Sequence, residues 1–139
     1  QKVPILSREI EKMGHEYVDR GKSIKAIKQL DKMEAKIKKG YNVLIFPEGT
    51  RSENGHLLAF KRGAFKLALA SKATIIPCYI QGSDHIVQKK SLKATPGTVN
   101  VYFDQPIPTR DLINDKAQLL KTLEETQNKI QHLKDLAKQ

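Results

Sequence analysis

The sequence predicts an α/β fold whose central sheet is mostly parallel and flanked by helices, with the sheet incomplete at the N-terminus. Two observations carry this prediction. Apolar runs of strand length alternate along the chain with segments of helical periodicity, and glycines mark many of the boundaries between them. No stretch has the composition of a linker, and 139 residues suffice for one hydrophobic core. We therefore expect one domain over residues 1–139.

The N-terminal third predicts three elements. A short helix is expected over residues 4–13 and a short strand over 15–19. Residues 24–39 then predict a longer helix, with Ser23 as its N-cap and Gly40 as its stop. Its apolar positions fall on one stripe: Ala26, Leu30, Met33 and Ile37. The opposite face is rich in lysine and is expected to be solvated.

The rest of the chain predicts five further elements. In order they are a buried strand over 41–46, a helix over 64–71, a strand over 74–80, a strand over 99–103 and an amphipathic helix over 115–137. A long polar connection over 81–97 joins the second and third of these strands. The apolar side of the last helix is expected to comprise Leu119, Leu120, Leu123, Ile130 and Leu133.

The charge balance points to anionic partners. The formal net charge is +10 and the sequence pI is near 9.7, which suits phosphates, anionic lipid headgroups, nucleic acid or an acidic carrier protein. Aromatic residues make up only 6% and tryptophan is absent, which argues against nucleic-acid binding by base stacking. The single Cys78 lies in an apolar run and is expected to be a buried, inert thiol.

The chain has no apolar run near the roughly 20 residues that span a bilayer, and no secretory signal peptide. It begins at Gln1 without a methionine, so we expect a piece of a longer protein. The sequence also lacks a Walker-type loop, a dinucleotide fingerprint and cysteine or histidine spacing suited to zinc. It therefore gives no support for a metal or a cofactor.

The most informative segment, here called the signature loop, is Phe46-Pro47-Glu48-Gly49-Thr50-Arg51-Ser52. Gly49 permits a tight turn, and Arg51 offers a planar fork of donors that fits a phosphate. Glu48 can orient Arg51 or accept hydrogen bonds from turn amides and hydroxyls. α/β proteins usually bind ligands at the carboxyl ends of their strands. The alternative is a polar turn whose arginine is simply solvated.

The signature loop resembles the third conserved block of the glycerolipid acyltransferases, the family that includes the lysophosphatidic-acid acyltransferases. Residues 14–20 resemble the second block of that family, residues 60–65 the stretch after the third, and residues 75–80 the fourth. The order and spacing of these segments extend the resemblance over nearly the whole chain. The resemblance implies a glycerolphosphate acyltransferase-like fold, truncated here upstream of the second block.

The resemblance implies a site for a phosphorylated acceptor. Arg20 and Arg51 would contact the acceptor's phosphate, and Lys61 would add a positive charge near it. The pocket would be shaped by three neighbours in the signature loop: Glu48, Gly49 and Thr50. Two alternatives stay open, because exposed basic residues often have no specific role. Lys61 would then be an ordinary surface lysine, and Arg20 would form an ion pair with Asp19 or Glu16.

One part of the family pattern is missing. The catalytic block of the family is His-x-x-x-x-Asp, in which the histidine is the general base and the aspartate orients it. His15 has Asp19 only four places on, and no suitable aspartate follows the other three histidines: His56, His85 and His132. His15 is expected to be a partly buried, hydrogen-bonded side chain. The general base is expected upstream of Gln1, and this chain alone should not catalyse.

The resemblance implies transfer of a fatty acyl group to a lysophosphatidate-like (1-acylglycerol-3-phosphate) acceptor in phospholipid synthesis. The donor would be acyl-CoA or acyl carrier protein, as a co-substrate and not a cofactor. The protein would be associated with the membrane at its cytoplasmic face, with no nucleic-acid partner. The alternative is a non-catalytic basic module that binds anionic lipid, nucleic acid or an acidic partner.

Overall fold

The computed structural model describes residues 24–52, 55–86 and 94–138, and the side chains of 24–27 lie outside the description. The helix expected over 4–13, the strand over 15–19 and Arg20 therefore lie outside the described residues. The chain divides into two compact units, Gln1–Leu44 and Ile45–Gln139. The described elements are α1 (Ile24–Lys38), α2 (Arg62–Ser71), β1 (Cys78–Gln81), α3 (Ser83–Ile86), β2 (Asn100–Phe103) and α4 (Lys116–Leu136).

Helix α1 confirms the helix predicted in the first unit. Met33 on the predicted stripe is buried, and Leu30 and Ile37 are half-buried. The helix ends in a Schellman motif, because the Tyr41 amide donates to the Lys36 carbonyl while the Gly40 amide donates to the Ile37 carbonyl. Gly40 has a φ of +90°, which glycine adopts without a steric penalty.

Aromatic and aliphatic side chains form the core of the second unit. Phe60 stacks on Phe65 with ring centroids 6.2 Å apart, and both belong to one buried cluster with Ile130 of α4. Helix α2 packs against α4, and α4 also packs against β1. Leu69 of α2 is fully buried. Helix α2 confirms the helix predicted over 64–71, and it begins two residues earlier, at Arg62.

The sheet is a two-stranded antiparallel hairpin, in which Tyr79 of β1 lies opposite Tyr102 of β2. Pairing resumes beyond Pro77 as a single bridge between Ile75 and Ile107. Pro77 has no amide hydrogen to donate, so the strand predicted over 74–80 is interrupted there. The segments described contain no parallel pair of strands, so the predicted parallel sheet is not observed in them.

The buried strand predicted over 41–46 is not observed in the described structure. This segment belongs to no strand, and Leu44 and Phe46 are 72% and 64% exposed. Val43 and Ile45 are half-buried. An apolar run favours extended backbone, but a strand also needs a hydrogen-bonded neighbour. Across 24–52, 55–86 and 94–138 no strand supplies one.

Helix α4 confirms the last predicted helix and corrects its buried face. Leu120 is 39% exposed, whereas Thr122 and Thr126 are buried. Their hydroxyls donate to the carbonyls of Gln118 and Thr122, at 2.9 Å and 2.7 Å. Because these bonds satisfy the hydroxyls, threonine can occupy positions that a purely apolar pattern assigns to leucine.

The predicted polar connection contains one short helix, α3, and its residues 87–93 lie outside the description. Cys78 is half-buried instead of fully buried. Burial raises the pKa of its thiol, which disfavours the reactive thiolate. No helix of the described chain has the length and apolar character needed to cross a membrane.

Candidate functional site

The signature loop begins with a tight turn, as predicted. The Gly49 amide donates to the Phe46 carbonyl at 3.0 Å, which closes a four-residue turn with Pro47 at its second position. Proline is favoured there because its ring fixes φ near the value that the turn needs. Gly49 has a φ of +69°, in the left-handed region. The chain thus reverses immediately after the apolar run of residues 43–46.

The described hydrogen bond of Glu48 is to the protein backbone. Its Oε2 atom accepts a hydrogen bond from the Leu58 amide at 2.8 Å, and the residue is half-buried. This is one of the two roles that the sequence left open for Glu48. Beside it, the Pro47 carbonyl accepts a hydrogen bond from the Lys61 amide, also at 2.8 Å.

These two bonds close residues 48–58 into a loop with a narrow base. We call the base the neck, and it consists of Pro47, Glu48, Leu58 and Lys61. The neck was not predictable from side-chain patterns, because three of its four bonding groups are backbone atoms. Only the carboxylate of Glu48 carries a signal in the sequence.

Lys61 lies against the turn. A Cβ atom placed on Gly49 would be 3.0 Å from Lys61 Nζ and 3.1 Å from its Cε, so the lysine side chain crosses directly over the glycine. Lys61 is exposed and precedes the first residue of α2. The structure therefore brings Lys61 to the signature loop, although its part in acceptor binding stays a prediction.

Thr50 and Arg51 lie on the exposed part of the loop, and Ser52 is half-buried. An exposed arginine on a loop held at its base suits the binding of an anion. Arg20 lies outside the described residues. The convergence of Arg20 and Arg51 on one phosphate therefore also stays a prediction.

The start of α2 reinforces the positive potential at the neck. Its first turn has no acidic residue, and Lys61 has no side-chain hydrogen bond capping the helix. Arg62 is the first residue of the helix. Helix N-termini carry a partial positive charge, which adds to that of the two basic side chains. This end of the second unit therefore favours negative ligands.

The groups with shifted pKa values lie in other segments. Hydrogen bonds from the Lys129 side chain and the Gln105 amide lower the pKa of Asp104, and a hydrogen bond from Gln131 lowers that of Asp135. Burial raises the pKa of Tyr79, with a smaller contribution from Asp84. The Asp104 shift accompanies the 3.0 Å ion pair with Lys129 of α4, whereas the bond between Gln131 and Asp135 lies within α4. Among the residues described, no group of three or more histidine, cysteine, aspartate or glutamate side chains could hold a metal ion.

A family model described as Acyltransferase matches residues 1–81, more than half of the chain. The chain belongs to the acyltransferase family. The family resemblance of the sequence is therefore confirmed, and the match includes the whole signature loop, the neck and the start of α2.

Similar proteins carry a consistent name. The 1-acyl-sn-glycerol-3-phosphate acyltransferase of Cocos nucifera is 36% identical over 103 residues, covering 73% of this chain and 33% of that protein. The enzyme of the same name from Saccharomyces cerevisiae is 37% identical over 117 residues, covering 82% and 39%. The human alpha form is 33% identical over 105 residues, covering 75% and 37%. The chain thus spans between a third and two fifths of the length of these relatives.

A solved structure shares the fold. The crystal structure of the 1-acyl-sn-glycerophosphate (LPA) acyltransferase PlsC from Thermotoga maritima matches with a TM-score of 0.75 at 25% sequence identity. The match covers 99% of this chain and 54% of that one. The chain therefore has a PlsC-like fold, which confirms the predicted fold at the level of the family.

Proposed function

We propose that the full-length protein transfers a fatty acyl group to the free hydroxyl of a 1-acylglycerol-3-phosphate acceptor, in phospholipid synthesis. The observation that carries this proposal lies beside the neck of the signature loop. There the Lys61 side chain covers Gly49, which precedes Arg51 by two residues. In a chain of the acyltransferase family, whose similar proteins are named for that acceptor, a basic loop of this kind suits its phosphate.

The acceptor's phosphate would bind between Arg51 and Lys61, with Arg20 as a third cation. Arg51 would supply two parallel hydrogen bonds, and Lys61 a compact point charge. Gly49 and Thr50 would shape the pocket beside the phosphate. Binding the charged end of the acceptor at this loop would fix the position of its free hydroxyl relative to the rest of the enzyme.

The chemical step needs groups beyond these. A histidine of a His-x-x-x-x-Asp block, placed upstream of Gln1, would take the proton from the acceptor hydroxyl. The hydroxyl oxygen would attack the thioester carbonyl of acyl-CoA or acyl carrier protein, and the thiol would leave as the new ester forms. The residues of this chain would bind and orient the acceptor.

We further propose that residues 41–46 join a mostly parallel central sheet in the full-length protein. The alternation of half-buried and exposed side chains over residues 43–46 supports the proposal. We also place the protein at the cytoplasmic face of a membrane, because the product is a bilayer lipid and the net charge of +10 favours anionic headgroups. A basic residue near such a surface contributes about 1 kcal/mol to binding.

Substitution of Arg51 tests the proposed acceptor site. We expect Arg51→Ala to raise the KM for 1-acylglycerol-3-phosphate roughly 10- to 100-fold, since charge-assisted hydrogen bonds contribute about 1.5–3 kcal/mol each. The KM for the acyl donor should stay within about twofold, because the proposal assigns the guanidinium to the phosphate of the acceptor and not to the donor. The measurement is steady-state acyl transfer by the full-length protein with each substrate varied in turn.

Arg110→Ala is the matched control, because Arg110 is an exposed arginine of the same unit outside the signature loop. It should leave both KM values unchanged. An equal loss of acceptor affinity in the two variants would mean that the effect of Arg51→Ala comes from the lower net charge and not from a specific phosphate contact. A full-length wild-type protein that fails to acylate 1-acylglycerol-3-phosphate with either donor would refute the proposed function itself.

A further inference from the structure

We propose that Glu48 is a positioning residue, whose carboxylate fastens the neck and thereby holds Arg51 in place for the acceptor. The link to the acceptor rests on the proposed function, whereas the fastening itself stands on the contacts of Glu48. This role differs from the one that the family resemblance implies, in which Glu48 forms part of the wall of the acceptor pocket.

The contacts of Glu48 join two distant points of the chain. Its Oε2 atom lies 2.8 Å from the Leu58 amide nitrogen, ten residues further on. The second hydrogen bond of the neck runs from the Lys61 amide to the Pro47 carbonyl. The loop between them contains no helix or strand in its described residues, 49–52 and 55–57. The carboxylate therefore links the two sides of the loop, as a ladder of backbone hydrogen bonds links the two strands of a hairpin.

The chemistry of the bond suits this role. A carboxylate that accepts from a backbone amide forms a charge-assisted hydrogen bond, which is shorter and roughly twice as strong as a neutral one. Without Glu48, the Leu58 amide would lose this partner in a half-buried position. Of the two bonds that define the neck, the one from the Lys61 amide to the Pro47 carbonyl would remain.

Electrostatics also argue against direct contact between Glu48 and the phosphate of the acceptor. A carboxylate beside a phosphate dianion would weaken binding by repulsion between like charges. The hydrogen bond from the Leu58 amide instead holds one carboxylate oxygen against the protein backbone. The Lys61 side chain covers Gly49 and supplies the positive charge beside the turn.

Two substitutions at Glu48 separate positioning from contact. Glutamine keeps an oxygen that can accept from the Leu58 amide but removes the charge, and alanine removes the acceptor altogether. Glu125→Gln is the matched control, because Glu125 is an exposed glutamate of α4 in the same unit. All variants are made in the full-length protein.

The first measurement is hydrogen exchange of the Leu58 amide without lipid, by NMR or by mass spectrometry of peptides that cover residues 57–60. We expect Glu48→Ala to accelerate exchange about tenfold or more, since the amide loses its acceptor. Glu48→Gln should stay within about threefold of the wild type, and Glu125→Gln should match it.

The second measurement is the KM for 1-acylglycerol-3-phosphate. We expect Glu48→Ala to raise this KM about tenfold, and Glu48→Gln to restore most of the affinity. The proposal is overturned if exchange at Leu58 is unchanged by alanine, or if glutamine impairs the KM as much as alanine does. If the wild type does not acylate the acceptor, the proposed function fails, and exchange at Leu58 alone decides whether Glu48 fastens the neck.

Discussion

At the scale of single residues, Gly49 meets two separate constraints. Its φ of +69° lies where a side chain is strained, and the space that a Cβ would fill is occupied by Lys61. The lysine can move, because the atoms that approach are the far end of a flexible side chain. The backbone strain from a Cβ at Gly49 would lower the stability of the protein. The displacement of Lys61 by the same Cβ would instead disturb the candidate site.

Gly49→Ala should separate these two effects. We expect the free energy of unfolding to fall by about 1–2 kcal/mol, the usual penalty for a Cβ in the left-handed region. The KM for 1-acylglycerol-3-phosphate should also rise severalfold, because the Lys61 ammonium leaves its place over the turn. Urea denaturation and steady-state acyl transfer by the full-length protein measure the two quantities.

Gly40→Ala provides the control for backbone strain. Gly40 also has a positive φ, and a Cβ there would meet nothing within 4 Å. Its substitution should lower stability by a similar amount and leave the KM unchanged. If Gly40→Ala raises the KM as much as Gly49→Ala does, the contact with Lys61 has no special importance.

At the scale of elements, the helices depend on local signals that the sequence displays. Helix α4 begins where Asp115 caps it, with the Asp115 carboxylate accepting from the Gln118 amide at 2.7 Å. Asp115→Ala should lower the free energy of unfolding by about 1 kcal/mol, and Asp115→Asn by much less, because asparagine is an equally good cap. Urea denaturation measures both.

Asp111→Ala, at an exposed aspartate in the turn before α4, is the control for the loss of a negative charge. It should change the free energy of unfolding by less than about 0.5 kcal/mol, as surface substitutions usually do. A similar loss in Asp111→Ala and Asp115→Ala would mean that charge, and not capping, sets the effect.

The contrast between helices and strands explains how much of the fold the sequence predicted. Helix periods and end signals are local, so α1, α2 and α4 were predicted to within a few residues. Strands need partners that are distant in sequence, so an apolar run alone did not decide whether 41–46 forms a strand, and the described structure has none there. The hairpin's antiparallel direction and its interruption at Pro77 likewise depend on pairing with residues 100–107.

The site was predictable to a similar extent. The signature loop was recognised from its own residues, and the turn at Gly49 followed from a local glycine. The bond from Leu58 to Glu48 joins a side chain to a backbone amide ten residues away, and any residue but proline could donate it. The position of Lys61 over Gly49 depends on the packing of α2, which no spacing rule supplies.

At the scale of the whole molecule, basic charge and exposed apolar surface are both prominent. The chain has a net charge of +10. Alternate residues of the hairpin and its flanks present apolar side chains that stay substantially exposed: Ile76, Val99, Val101 and Phe103. General attraction to anions therefore accompanies any specific binding at Arg51, which is why variants in other parts of the unit are essential controls.

The 139-residue chain by itself should show no acyl transfer above the rate in buffer. A general base needs a partner that orients its imidazole. No histidine of the sequence has an aspartate five places on, and the one described contact of this kind, His85 with Asp84 at 3.8 Å, joins side chains that are 87% and 67% exposed. Solvated groups of this sort do not fix an imidazole against a substrate hydroxyl.

The assay for this prediction mixes the chain with acyl-CoA or acyl carrier protein and 1-acylglycerol-3-phosphate, and the full-length protein serves as the positive control. Turnover by the chain alone that disappears in His15→Ala or His56→Ala would place the base within residues 1–139. Inactivity of the chain beside an active full-length protein is the expected result, with the proton taken by a group outside residues 1–139.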